Sequence, residues 1–249
     1  RYFLVFSYYG ASYHGWQRQP NAITVQQVLE EVLCNLLQEN VTLVGAGRTD
    51  TGVHAKQMFA HFDFEYIQDI EFLIYRLNAF LPNDIAVNEI FRVREDAHAR
   101  FDAMERTYEY WVVQEKNPFY KDTAHYIKHP LDVEIMNQGA SVLLKHTDFK
   151  CFSKSNTHVK TYLCQIKSAM WKFDGEKMIF EITADRFLRN MVRAIVGTLL
   201  DLGLGKSRLS DLEAIILSKD RRYAGTSVPA KGLYLTKVLY PRNIYVTEG

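Results

Sequence analysis

The hydrophobic and polar positions of the chain alternate in short runs, switch to a helical spacing, and do so twice in the same order. RYFLVFSYYG (1–10), dense in aromatic and β-branched residues and closed by Gly10, reads as a strand. Thr24 and Gln27 fit a capping box, and Val25, Val28, Leu29, Val32, Leu33, Leu36 and Leu37 then give a helix one buried face. VTLV (41–44) predicts a short strand running into the loop GAGRTDTG. Residues 57–64 alternate, with Met58, Ala60, Phe62 and Phe64 on one face, and predict another strand. A helix over about 69–80 carries Ile70, Leu73, Ile74 and Leu77, and LPND turns into the strand IAVNEIFRV. The order is β-α-β-β-α-β, a ferredoxin-like split unit.

RTYEYWVV (106–113) opens a second round, and Asp132 caps a helix holding Ile135, Met136, Val142 and Leu143. Residues 162–173 and 177–184 predict a hairpin around Asp174-Gly175. A long helix follows, with Leu188, Met191, Val192, Ile195, Val196, Leu199 and Leu200 on its apolar side and Gly203 as its C-cap. A small helix is predicted from a Ser210–Glu213 capping box, and GLYLTKVLY (232–240) is the last strand. The expected class is α+β, two β-α-β-β-α-β units with mainly antiparallel sheets flanking a central cleft. Their expected bounds are 1–100 and 101–249.

At 249 residues and 47% apolar side chains, the chain can bury a sizeable core. No apolar run approaches the length needed to cross a bilayer, so no membrane partner is expected. Cys34, Cys151 and Cys164 form neither a disulfide framework nor a CxxC metal site, which fits a reducing, cytoplasmic setting. The net charge of +1 conceals a strong asymmetry: residues 1–144 sum to −7 and residues 145–249 to +8. A basic half can hold a polyanion, or it can simply attract the acidic half.

The stretch with the most unusual chemistry is GAGRTDTGVHA (45–55), three glycines around Arg48, Asp50 and His54. It lacks the Gly-Lys-Ser/Thr of a phosphate loop and is not GxGxxG. An aspartate in such a loop commonly closes an Asx turn, and catalysis is the alternative. GRTDTGVHA resembles the signature of the TruA family of tRNA pseudouridine synthases, whose usual form is GRTDxGVHA. YYGASYHGWQRQ (8–19), HARFDAMERTYEY (98–110), FLRNMVRAIVG (187–197) and KGLYL (231–235) resemble the other blocks of that family, in family order.

The resemblance implies a pseudouridine synthase fold and a cofactor-free, metal-free isomerisation of uridine, with Asp50 as the catalytic carboxylate. It implies Arg193 as the basic partner of that carboxylate, Tyr108 as a contact to the target base, and Arg48 as the residue that holds the flipped base out. On the residues alone, Tyr108 shares a strand face with Tyr110 and Val112 and reads as core. His54 is expected to position the loop within the substrate site, and Leu235 to wall the base from below. His98, Arg100, Arg106, Lys154, Lys160, Arg186, Arg189, Arg221 and Arg222 are candidates for phosphate contacts.

The implied partners are the tRNA anticodon stem-loop, with uridines 38–40 as targets, and a second copy of the chain. Thr51 stands where the family commonly has Ala, and Lys160, in SNTHVKTYLC (155–164), where Arg is frequent. Two other readings stand beside this one. An RNA-binding protein with two RRM-like sheets would use Tyr8, Tyr9, Tyr108 and Tyr110 for stacking, yet the RRM strand motif is absent. A hydrolase using Asp50 with His54 has no Ser-His or Cys-His motif behind it.

Overall fold

The computed structural model describes residues 1–154 and 159–246. Its elements in chain order are β1 (Tyr2–Tyr8), α1 (Val25–Leu37), β2 (Val44–Gly45), β3 (His54–Phe62), α2 (Ile70–Phe80) and β4 (Ile85–Arg92). Then come β5 (Glu105–Val113), β6 (His125–Tyr126), α3 (Val133–Leu143), β7 (Ile166–Asp174), β8 (Lys177–Ala184), α4 (Met191–Gly203), α5 (Leu209–Ser218) and β9 (Leu233–Leu239). The chain divides into two compact units, Arg1–Glu105 with Leu235–Gly249, and Arg106–Tyr234.

In the first unit the strand order is β4-β1-β3, with β2 on the far side of β3, all antiparallel. That is the order of a ferredoxin-like split unit. β1 is buried on both faces, because its residues are apolar at odd and even positions alike. Phe3 meets Phe59, Phe91 and Tyr240 on one face, while Tyr2 stacks on Phe62 and Phe6 packs against Trp16 on the other. The alternation read for β3 therefore saw half of its burial: Met58, Ala60 and Phe62 are buried, and so are Phe59 and His61 between them. The residues from Leu235 onward, assigned by sequence to the second half, cluster with this unit. Val238 N–H donates to the Gln57 side chain, Met104 N–H to the Leu239 carbonyl, and the Tyr240 hydroxyl to the Ala99 carbonyl.

The second unit repeats the plan. β5, β8 and β7 lie side by side and antiparallel, and the opening of β9 lies beside β5, where Tyr234 stacks on Trp111 at 4.1 Å. α4 is buried almost all round, from Met191 to Gly203, which fits its nearly continuous apolar sequence.

Helix caps follow the sequence closely. Thr24 accepts from Gln27 N–H and Asp132 from Ile135 N–H, although the Gln27 side chain reaches forward to Glu31 instead of closing the capping box. Elsewhere local signals misplace boundaries. VTLV contributes only Val44 to a strand, since Val41 N–H is held by the Cys34 sulfur and Leu43 N–H by Glu30. The strand predicted from 162 begins at Ile166. Before it, Cys164 N–H donates to the Thr147 carbonyl and Gln165 N–H to the Asp185 carboxylate.

The β7–β8 hairpin turns on Gly175-Glu176, one residue later than expected, because Asp174 pairs with Lys177 and only Gly175 has positive φ, +58°. Gly203 lies inside α4, pressed against Met136, and the left-handed position belongs to Gly205 at φ +68°. The small helix α5 starts before Ser210, with the Asp211 carboxylate accepting from Arg208 N–H.

Candidate active site

The loop between β2 and β3 is fastened along one side by the segment that leaves β1. Ala46 N–H donates to the Phe59 carbonyl and anchors the start of the loop. The Thr49 hydroxyl oxygen accepts from Trp16 N–H at 3.1 Å and lies 2.9 Å from the Tyr8 hydroxyl. Gly52 N–H donates to the Tyr13 carbonyl, and Val53 N–H closes a turn onto the Asp50 carbonyl at 3.1 Å. His54 Nδ1 accepts from Gly10 N–H at 2.9 Å while its ring stacks on Tyr9 at 4.5 Å. An acceptor at Nδ1 puts the proton of the neutral ring on Nε2.

Glycines make this approach possible. A Cβ on Gly10 would lie 1.9 Å from the Val53 carbonyl oxygen, and one on Gly15 2.3 Å from that of Thr49. Gly15 also sits at φ +84°, where side chains are strained. A Cβ on Gly45 would meet the Trp16 ring. The segment itself is pinned: Tyr13 Oη donates to Asp84 at 2.6 Å, and Tyr9 N–H donates to the Asp84 carbonyl. Burial and that bond raise the Tyr13 hydroxyl above its usual titration range. A Cβ on Gly47 would meet nothing within 4 Å, Arg48 is exposed, and Asp50 is half-buried. The arrangement presents one carboxylate from a backbone that cannot shift freely.

His54 thus opens β3 instead of standing in the loop, and its side chain, 1% exposed, braces the loop from beneath. Leu235 is buried in β9. His98 is half-buried in the turn before β5, where Nδ1 accepts from Arg100 N–H and the ring meets His61 at 4.6 Å; Arg100 is exposed over Phe101.

Within the second unit several of the predicted residues come together. Arg106 donates to the Asp185 carbonyl at 2.9 Å, which brings β5 against the segment holding Arg186. Tyr108 is half-buried and meets Phe187 edge-on at 5.2 Å, and Lys154 N–H donates to the Arg189 carbonyl. Arg193 is half-buried on α4 and tied to the strap that runs along this helix: its Nε donates to the Val228 carbonyl at 2.7 Å, and Val228 N–H returns a bond to the Arg193 carbonyl. A Cβ on Gly197 would strike the Thr226 carbonyl, so the strap needs glycine there.

Lys160 is exposed, and residues 155–158 of the basic segment lie outside the described residues. Arg221 and Arg222 have local duties. Arg221 donates to the Ala224 carbonyl and Ser227, and Arg222 grips Asp220, whose carboxyl is held down to about 2 by that pairing. Sequence reasoning passed over Thr49, Phe187 and Val228. Only Thr49 could have been singled out, as the hydroxyl beside the candidate aspartate.

Two split units, one with an aspartate presented between adjacent strands, define a pseudouridine synthase fold. The family model for tRNA pseudouridine synthase matches residues 4–102 and 143–241. The chain is 50% identical over 249 residues to tRNA pseudouridine synthase A of Parabacteroides distasonis, covering 100% of this chain and 99% of that protein. It is 48% identical over 247 residues to that of Bacteroides fragilis, covering 98% of each, and 40% identical over 239 residues to that of Acetivibrio thermocellus, covering 95% and 98%. The chain belongs to the tRNA pseudouridine synthase family.

Proposed function

We propose that this chain isomerises uridine to pseudouridine in the anticodon arm of tRNA, at positions 38–40, with Asp50 as its catalytic carboxylate. The observation that carries the assignment is the half-buried Asp50 on a loop fastened by Trp16, Tyr8 and Tyr13 of the segment that leaves β1. In the reaction the N1–C1′ bond breaks, C5 bonds to C1′, and the C5 proton is lost as N1 regains one. Atoms and electrons balance within the substrate. A fixed carboxylate can act as nucleophile or stabilise a cationic sugar centre, and in either role its position sets the rate.

A stacked uridine must leave the helix to reach such a group. Exposed Arg48, two residues before Asp50, is the residue assigned to hold it out. Tyr108 is assigned to the flipped base, its ring already steadied by Phe187. Arg193 keeps the basic role that the family resemblance gives it. Arg106, Lys154, Arg186 and Arg189 form a group suited to phosphates, with His98, Arg100 and Lys160 as outlying contacts. The reading includes a homodimer in the cytoplasm. No helix among the described residues is long and apolar enough to cross a membrane.

The test compares wild type with Asp50→Asn on an unmodified tRNA transcript, scoring pseudouridine by carbodiimide-dependent primer-extension stops and binding by filter retention. The expected result is modification of the anticodon arm by wild type, and a variant that binds tRNA within about threefold but loses at least ~10³ in rate. Wild type that binds but modifies no uridine would favour the RNA-binding reading.

A further inference from the structure

The residue before Asp50 is held through both its side chain and its backbone. Thr49 places one hydroxyl between two groups of the β1 exit, Trp16 N–H at 3.1 Å and the Tyr8 hydroxyl at 2.9 Å. Tyr8 is the last residue of β1 and is 4% exposed, stacked beside Phe6; Trp16 is 3% exposed and packs on the same Phe6. Both partners of the hydroxyl are thus parts of the core, unable to follow a moving loop. The Thr49 backbone is confined as well, since its carbonyl oxygen occupies the space where Gly15 lacks a side chain. Thr49 is held through side chain and main chain at once, and the next Cα is that of Asp50.

We infer that Thr49 is a positioning residue for the reaction, a latch that transmits the rigidity of the β1 core to the Asp50 carboxylate. The inference rests on Asp50 being the catalytic group. The chemistry required of position 49 is specific. It needs an acceptor for a backbone N–H and a hydroxyl that can pair with a phenol, and threonine adds the β-branch that restricts χ1. Valine keeps the shape and the branch but neither bond. Serine keeps both bonds and gives up only the stiffness.

The experiment uses the full-length chain with Thr49→Val, Thr49→Ser, Tyr8→Phe and Asp50→Asn. Single-turnover rates at saturating tRNA, tRNA Kd by filter retention, and the midpoint of thermal unfolding are measured for each. A latch predicts that Thr49→Val loses roughly 100-fold in single-turnover rate, the cost of misplacing a reacting group by about 1 Å, while Kd stays within about threefold. Thr49→Ser restores the rate to within about fivefold of wild type, and Tyr8→Phe, which removes one of the two bonds, falls roughly tenfold.

An unchanged rate in Thr49→Val overturns the inference, and so does a Thr49→Ser variant as slow as Thr49→Val. Should Thr49→Val not fold, Tyr8→Phe decides: a slower rate at unchanged Kd supports the latch, and a wild-type rate overturns it. Asp50→Asn separates the two layers. If it turns over like wild type, the assignment of Asp50 fails; if it is inactive while Thr49→Val is fully active, only the latch fails.

Discussion

The two units share a strand order and differ at the one connection that bears on the candidate site. In the second unit the strands β7 and β8 are joined by Gly175-Glu176, the shortest turn such a hairpin allows. In the first, the corresponding strands β2 and β3 are joined by residues 46–53, and that excursion carries Arg48, Thr49 and Asp50. A tight turn holds itself through its own geometry. A longer loop cannot, and here the missing restraint comes from residues 8–16, far away in sequence. The comparison teaches that one strand order can recur with different connections, and that the proposed chemistry depends on one of them and on the neighbour that fastens it.

The largest effect should come from breaking the fastening at its tightest point. Gly15→Ala places a methyl group 2.3 Å from the Thr49 carbonyl oxygen at a residue with φ +84°. The left-handed backbone alone costs an alanine about 1–2 kcal/mol, and relieving the clash brings the total to about 3 kcal/mol. Urea unfolding should show this loss, and the loop displacement should reduce single-turnover rate by roughly 100-fold or more. A Gly15→Ala protein with wild-type stability and rate would show that the fastening is dispensable.

Local sequence rules reached most of the architecture. They found both split units, the caps at Thr24 and Asp132 and the long buried α4, because each rests on residues within a few positions of one another. They failed where a residue's partner is remote. Gly10, Gly15 and Gly45 look like ordinary turn residues until Val53, Thr49 and Trp16 are brought beside them. VTLV has the composition of a strand and loses most of it to bonds with Cys34 and Glu30 of α1. His54 read as a loop residue because nothing nearby reveals that Gly10 N–H seeks its Nδ1. At the candidate site the same division holds. Asp50 was legible as a motif, whereas Thr49 acquires its meaning from Tyr8 and Trp16.

A second, smaller contrast between the units concerns acid. β3 contains His61, 5% exposed, whereas its counterpart β8, KMIFEITA, contains no histidine. His61 Nδ1 accepts from Ala99 N–H, which requires the neutral ring with its proton on Nε2. Burial, then the charges of Arg1 and His98, lower its pKa from 6.5 to about 4, against the weaker pull of Asp63 and Asp102. A depressed folded-state value means that the unfolded chain takes the proton first. The contribution is therefore complete above pH 6.5 and is lost as pH falls toward 4. Between pH 7.5 and pH 5 the loss amounts to about 2 kcal/mol. His61→Asn, which keeps an acceptor near the Nδ1 position without a titrating ring, should flatten the dependence of the thermal midpoint over this range. An unchanged slope would place the acid sensitivity elsewhere, with half-buried His98 the next group to replace.

The smallest effect should come from the turn that does no chemistry. Gly175 has φ +58° but open space around it, so Gly175→Ala meets backbone strain and no clash. The expected cost is about 1 kcal/mol, seen as a lower urea midpoint at unchanged slope. The single-turnover rate should stay at the wild-type value, since the two-residue turn carries none of the candidate site residues. Gly15→Ala and Gly175→Ala are the same substitution at positive φ in the two units. A rate lost in the first and kept in the second would separate the cost of strain, common to both, from the cost of moving Asp50. Equal losses of rate would mean that catalysis follows global stability, and that the β2–β3 loop is not individually held.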